Sequence, residues 1–249
     1  MRVFGLYNIK GGVGKTAAAV NLAYLSSSEG EKTLLWDLDP QGAATFYFRQ
    51  AQGIESSVRK VVSGKTDIGE LVKHTAFENL SIIPSDLAMR NLDILLEETK
   101  KSKTRLRDIL DEVKKDYSRV FLDCPPGISL LSENIFHAAD HLIVPVIPTT
   151  LSERTLGQIR DFFEQKDLDK KHIAVFFSMA EKRKRLHRET MERLSGELKR
   201  VCAVSIPYSS EIEKMGLYGR PITAARPKSK AAAAYRALWD ELKTLFGLS

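Results

Sequence analysis

The stretch Lys10-Gly11-Gly12-Val13-Gly14-Lys15-Thr16 limits what this chain can fold into more than any other. It follows a short apolar run, Val3 to Leu6, and leads into a helical pattern. A strand that stops in glycines and restarts as a helix leaves several backbone N–H groups unpaired and pointing one way. The glycines let those amides approach a bound phosphate with no Cβ in between. Lys15 then offers a point charge to terminal phosphates, and the Thr16 hydroxyl suits a magnesium ion. A glycine-rich turn that binds nothing is the competing reading, and the strand–loop–helix context disfavours it.

Strands and helices alternate along the rest of the sequence. Apolar runs predict strands at Arg2 to Tyr7, Thr33 to Trp36, Leu80 to Ile83, Val120 to Asp123, His141 to Val146, Ile173 to Phe177 and Val201 to Ile206. Helical periodicity is expected over Thr16–Ser28, Arg90–Lys115, Leu130–Ala138, Ser152–Gln165 (with Ser152 as N-cap), Leu186–Arg200 and Ser229–Phe246. Residues 43 to 79 carry only short apolar patches broken by Gly53 and Gly64. The expected fold class is α/β: a mostly parallel, twisted sheet of about seven or eight strands with helices on both faces. One domain over residues 1–249 is expected.

Two further stretches place acids where a phosphate loop would use them. In a βαβ unit the second strand is expected beside the first, with its carboxyl end overlooking the loop. That end reads Asp37-Leu38-Asp39-Pro40-Gln41-Gly42. Aspartates one residue apart project to the same side of an extended chain, so one can hold a water in line with a terminal phosphate. A plain Asp-Pro turn is the alternative. Val120-Phe121-Leu122-Asp123-Cys124-Pro125-Pro126-Gly127 delivers another acid from a buried strand, suited to holding a magnesium-bound water.

The strict phosphate-loop pattern has glycine at the position of Ile9, and here a second lysine, Lys10, stands at the mouth instead. With that deviation, and with Asp-x-Asp-Pro-Gln and Asp-Cys-Pro-Pro following, the chain resembles the ParA/MinD family of deviant Walker A ATPases, in its ParA/Soj branch. The resemblance extends over nearly the whole chain. It implies ATP and Mg2+ as ligands, with Lys10, Gly11, Gly12, Val13, Gly14, Lys15, Thr16, Ala17 and Pro207 contacting nucleotide. It implies that Lys10 crosses a dimer interface to the partner's phosphates and that Lys10, Lys15 and Asp39 form the catalytic set, Asp39 positioning water. Thr16, Asp123 and Asp37 are the implied metal residues, the aspartates acting through water or, for Asp37, through a lysine. An ATP-bound homodimer, non-specific DNA and a ParB-like or cargo-adaptor protein that stimulates slow hydrolysis are the implied partners. A cytoplasmic, nucleoid-associated location follows from the same likeness.

Basic charge fits that expectation in part. The chain has 38 Lys and Arg against 32 Asp and Glu, for a net charge of +6, and the distribution matters more than the sum. The densest run holds Lys182, Arg183, Lys184, Arg185 and Arg188, and a second holds Arg226, Lys228 and Lys230. Both are candidate DNA contacts that neutralise phosphates without reading bases, with solvated loops as the alternative. The cluster Lys100, Lys101, Lys103, Arg105 and Arg107 reads as a solvated face or helix junction. Many relatives carry arginines just after the last strand, whereas this chain has Tyr208 and Glu211 there.

Other classes are disfavoured. No apolar run approaches the eighteen or so residues of a membrane span, and no leader is expected. Cys124 and Cys202 make no disulfide framework and no obvious cluster site. His74, His137, His141, His172 and His187 lack metal-ligand spacing. A MinD-like membrane-associated ATPase and a metabolic P-loop enzyme remain the alternatives. The terminal helix argues against the first, because Asp240 and Glu241 balance Arg236 and Lys243 on its polar side.

Overall fold

A computed structural model describes residues 1–51, 55–85, 87–169 and 173–248. Gly53 and His172 lie outside the described residues. Eight strands form one sheet: β1 (Arg2–Leu6), β2 (Thr33–Asp37), β3 (Lys73–His74), β4 (Leu80–Ile83), β5 (Arg119–Asp123), β6 (His141–Val146), β7 (Ile173–Ala180) and β8 (Val201–Pro207). Their order is β3-β4-β2-β5-β1-β6-β7-β8, all parallel except the short edge strand β3. β2, β5 and β6 are buried along their whole length, as a parallel sheet covered on both faces requires.

One expectation is corrected by this order. β2 does not lie beside β1; β5 sits between them. The crossover through α1 (Lys15–Ser28) skips one strand position, and β5 later fills it. Asp123 therefore stands in register with Leu6 on one side and Asp37 on the other.

Twelve helices cover the sheet among the described residues. α3 (Glu55–Val62), α4 (Leu92–Glu97), α5 (Arg105–Asp111), α6 (Leu130–Ala138), α7 (Thr150–Gln165) and α8 (Arg185–Glu197) lie on the face of Leu34, Trp36, Val120, Leu122 and Val144. On the opposite face, α1, α2 (Ala43–Tyr47), α10 (Met215–Tyr218), α11 (Ile222–Ala225) and α12 (Lys230–Phe246) pack over Phe4, Leu6, Leu35, Phe121 and Phe176. The remaining short helix, α9 (Ser210–Glu213), follows β8.

Two helices depart from the sequence expectation, and the terminal one meets it. The helix expected over 90–115 breaks into a 3-10 turn, α4 and α5. Thr99 Oγ1 donates to Leu96 O, Asn134 Nδ2 donates to Ser102 O, and the lysines between would repel along a continuous helix. α7 begins at Thr150 with Thr149 at its N-cap, while Ser152 Oγ donates to Ile147 O. α12 turns Tyr235, Leu238, Trp239 and Leu242 fully into the core, which leaves that face unavailable to a lipid surface. No helix among the described residues is long and apolar enough to cross a membrane.

Candidate nucleotide site

The loop after β1 is built by its glycines and one asparagine. Gly12 and Gly14 have φ of 71° and 93°, the left-handed region where a side chain is strained. A Cβ on Gly14 would stand 2.7 Å from Ser178 Oγ of β7, whereas nothing lies within 4 Å of one on Gly11 or Gly12. The loop is thus closed on its β7 side and open outward. Asn8 holds its base: Oδ1 accepts from Lys10 N at 2.9 Å, and Nδ2 donates to Pro145 O at 2.7 Å. Val13 packs into the interior, and Thr16 and Ala17 are half-buried at the start of α1.

The two lysines of the loop differ sharply. Lys15 is buried, and its ammonium donates to Lys10 O at 3.0 Å and Asn8 O at 3.3 Å, folded back across the loop. Burial lowers its pKa, opposed by the negative charge of Asp123, Cys124 and Asp39. Lys10 is exposed and pairs with no carboxylate among the described residues.

Asp37 and Asp123 sit side by side at the carboxyl ends of adjacent strands, both fully buried. Asp37 Oδ2 accepts from Thr45 N (2.8 Å) and Thr45 Oγ1 (2.7 Å), while its Oδ1 has no partner among the described residues. Neither Asp123 oxygen has a hydrogen-bond partner among the described residues. Burial pushes the Asp37 carboxyl up to about 6, tempered by Thr45. Burial and then Asp37 raise Asp123 well above the ordinary range, and the nearby Thr16 hydroxyl offsets part of this. A fully buried carboxylate without donors is costly unless something positive completes it. Hard oxygen donors beside a phosphate loop fit Mg2+, with Thr16 and Asp123 foremost and Asp37 behind them.

Asp39 lies farther out, half-buried, with Oδ1 accepting from Gln41 N at 2.9 Å. Ser85 anchors this corner: its hydroxyl donates to Asp39 O at 2.6 Å and its N–H donates to Thr45 Oγ1 at 2.7 Å. Across the site, Gly127 N donates to Ile9 O at 2.9 Å and Tyr7 Oη donates to Gly127 O at 2.7 Å. The phosphate loop and the segment after Asp123 are therefore tied together.

The remaining expected residues are spread along the same edge. Pro207 ends β8, three strands from β1, opposite Ala180. Lys182, Arg183 and Lys184 follow β7, and Arg185 and Arg188 open α8. Several of these charges are partly engaged: Lys184 with Glu181, Arg185 with Glu189 at 2.6 Å, and Arg188 with the carbonyls of Lys182 and Arg183. Arg226 lies over the Tyr218 ring at 5.9 Å, and Lys228 and Lys230 are exposed beside the start of α12. No histidine or cysteine joins a metal-binding cluster among the described residues.

Sequence reasoning missed Asn8, Thr45, Ser85 and Ser178. An asparagine two residues before Lys10 is an Asx-turn signal and was legible in principle. The other three act through long-range contacts that no local pattern announces.

Comparison with known proteins agrees with this geometry. A family model described as an AAA domain matches residues 1–175. The chain is 29% identical to the sporulation initiation inhibitor protein Soj of Bacillus subtilis, over 97% of this chain and 98% of that protein. It is 30% identical to the chromosome partitioning protein ParA of Myxococcus xanthus, over 97% of this chain and 87% of that protein. Its fold matches a cobyrinic acid a,c-diamide synthase from Mycobacterium smegmatis solved with an ATP analogue and magnesium, with a TM-score of 0.81. That likeness is 24% identical and covers 100% of this chain and 96% of the other, and it speaks to fold alone.

Proposed function

This chain belongs to the ParA/MinD family of P-loop ATPases, and on that footing we propose that it is a positioning ATPase that dimerises on ATP and binds DNA without sequence preference. The observation that carries the reading is the contrast within one loop: Lys15 buried and turned inward, Lys10 exposed and paired with no carboxylate among the described residues. A cation held outside its own site is suited to neutralising a triphosphate bound by a second copy.

Exposed apolar side chains support the same face-to-face arrangement. Phe46, Ile128, Leu151, Leu186, Tyr208 and Leu217 are exposed, and each lies in a segment that follows the carboxyl end of a strand. Exposed apolar groups on the segments of one sheet edge are what an interface between copies needs.

Within each site, the loop amides and Lys15 would hold the phosphates, while Thr16 and Asp123, backed by Asp37, would hold Mg2+. Magnesium, when bound, neutralises phosphate charge and polarises the bond to be broken. Asp39, hinged outside the buried acids, is placed to orient a water and take up its proton. Ser85 and Thr45 fix that aspartate relative to Asp37. Pro207 would line a part of the nucleotide remote from the phosphates.

The DNA surface would combine the 182–188 run with the loop at Arg226, Lys228 and Lys230. Tyr208 and Glu211 stand where many relatives carry arginines, so affinity should be modest and strongly salt-dependent. Binding of duplex DNA, measured with and without ATP at two salt concentrations, tests the proposal. ATP-dependent binding that weakens with salt supports it. Binding indifferent to ATP, or none at low salt, overturns the DNA-bound positioning role and favours a metabolic P-loop enzyme.

A further inference from the structure

One basic cluster has no part in that function. Lys100 and Lys101 lie between α4 and α5, Arg105 opens α5, and the fold brings them against a second basic stretch, Arg59, Lys60 and Lys65, at the end of α3. The two stretches are about 40 residues apart in sequence and line opposite walls of one groove of about 920 Å³. Its lining includes the almost buried Val62 and Leu95.

Some of this charge is already committed. Arg105 caps α3, with Nε donating to Val62 O at 2.9 Å and a terminal nitrogen donating to Val61 O at 3.0 Å. Lys101 pairs with Asp108 at 3.1 Å, and Arg59 reaches Glu98 only at 3.9 Å. Lys60, Lys65 and Lys100 are exposed and pair with no carboxylate among the described residues. Three uncommitted lysines around a concave apolar floor form an anion-seeking surface, quite unlike a convex solvated face.

We propose that this groove docks an acidic segment of a partner protein, one that places carboxylates against Lys60, Lys65 and Lys100 and an apolar side chain over Leu95 and Val62. A peptide suits the groove better than duplex DNA does. Glu98 and Asp108 sit among the cations and would oppose a continuous phosphate backbone, whereas a peptide can space its acids to avoid them. The groove lies on the α3–α5 face over the β2 half of the sheet, away from β7 and the 182–188 run. None of the residues proposed above to join two copies lines it. The inference rests on that reading only for the partner's biological role, since peptide docking itself needs neither nucleotide nor a dimer.

The test uses the full chain without nucleotide and a fluorescein-labelled twelve-residue peptide of glutamates with leucine at every third position. Fluorescence anisotropy should report saturable binding that weakens as salt rises. The variant K60E/K65E/K100E should lose affinity by about tenfold or more, and K60Q/K65Q/K100Q by less. ATP affinity and duplex DNA binding of both variants should match the parent. Equal peptide affinity in parent and K60E/K65E/K100E overturns the proposal. A loss of DNA binding in that variant also overturns it and makes the groove a nucleic-acid contact. An inability of the parent to bind ATP would sink the positioning role and leave the peptide result standing by itself.

Discussion

Replacing Gly14 by alanine probes how the loop is built, and the structure permits the cost to be worked out in two parts. At φ 93° an alanine backbone is strained, which costs about 1–2 kcal/mol. The new methyl would stand 2.7 Å from Ser178 Oγ, and crowding of that kind in a packed site costs about 1–3 kcal/mol. Together they amount to about 2–5 kcal/mol, or a melting temperature lowered by about 4–20 °C for a chain of this size. Ser178→Ala in the Gly14→Ala background removes the oxygen and leaves its Cβ 3.8 Å away, so it should return the crowding share alone. Circular dichroism melts of the four proteins in the cycle separate the two contributions. Titration with a labelled ATP should show affinity reduced by at least about tenfold in Gly14→Ala. A Gly14→Ala protein that melts with the parent, or a double variant with no recovery, would refute this account of the loop.

Three other outcomes are expected. Asp39→Ala should bind ATP and form a dimer but hydrolyse at least about 100-fold more slowly in single-turnover assays; parental turnover would move the water-positioning role elsewhere. The Asp37 carboxyl, raised to about 6, keeps a proton in the folded state that the unfolded chain, near 3.9, gives up. Stability without nucleotide should therefore fall as pH rises from about 4 to about 6, with the raised Asp123 carboxyl extending the fall above that, and Asp37→Asn should make the slope between about 4 and about 6 shallower in urea melts at stepped pH. A slope unchanged in Asp37→Asn would remove Asp37 as its source. Charge reversal at Lys182, Arg183 and Arg185 should weaken DNA binding and reduce the log–log salt slope by about 3, with ATPase activity intact. An unaltered isotherm would return that run to solvated surface.

The loop and Asp123 were legible in sequence because each is a local pattern: glycines between strand and helix, and an acid closing an apolar strand. Strand order was not. Nothing near Thr33–Asp37 says that Arg119–Asp123 will come between it and β1, yet this insertion sets the two buried acids side by side. Thr45 and Ser85 were illegible for a similar reason, since they meet over 40 residues of sequence. The charged stretch after Glu97 carried helical periodicity but lost its helix to side-chain bonds such as that from Thr99 to Leu96 O. Its lysines read as a solvated face or helix junction, and Lys100 is indeed exposed between α4 and α5, while the nearness of Lys60 and Lys65 was not legible because they lie in the stretch with the weakest pattern. In each case local chemistry was readable and pairing at a distance was not.

The central claim is that Lys10 of one copy serves the triphosphate of another. Sedimentation velocity with a slowly hydrolysed ATP analogue and Mg2+ tests it most directly. The parent should sediment as a dimer and Lys10→Ala as a monomer that still binds the analogue. A parent that stays monomeric at saturating analogue, or a Lys10→Ala protein that dimerises equally well, would contradict it.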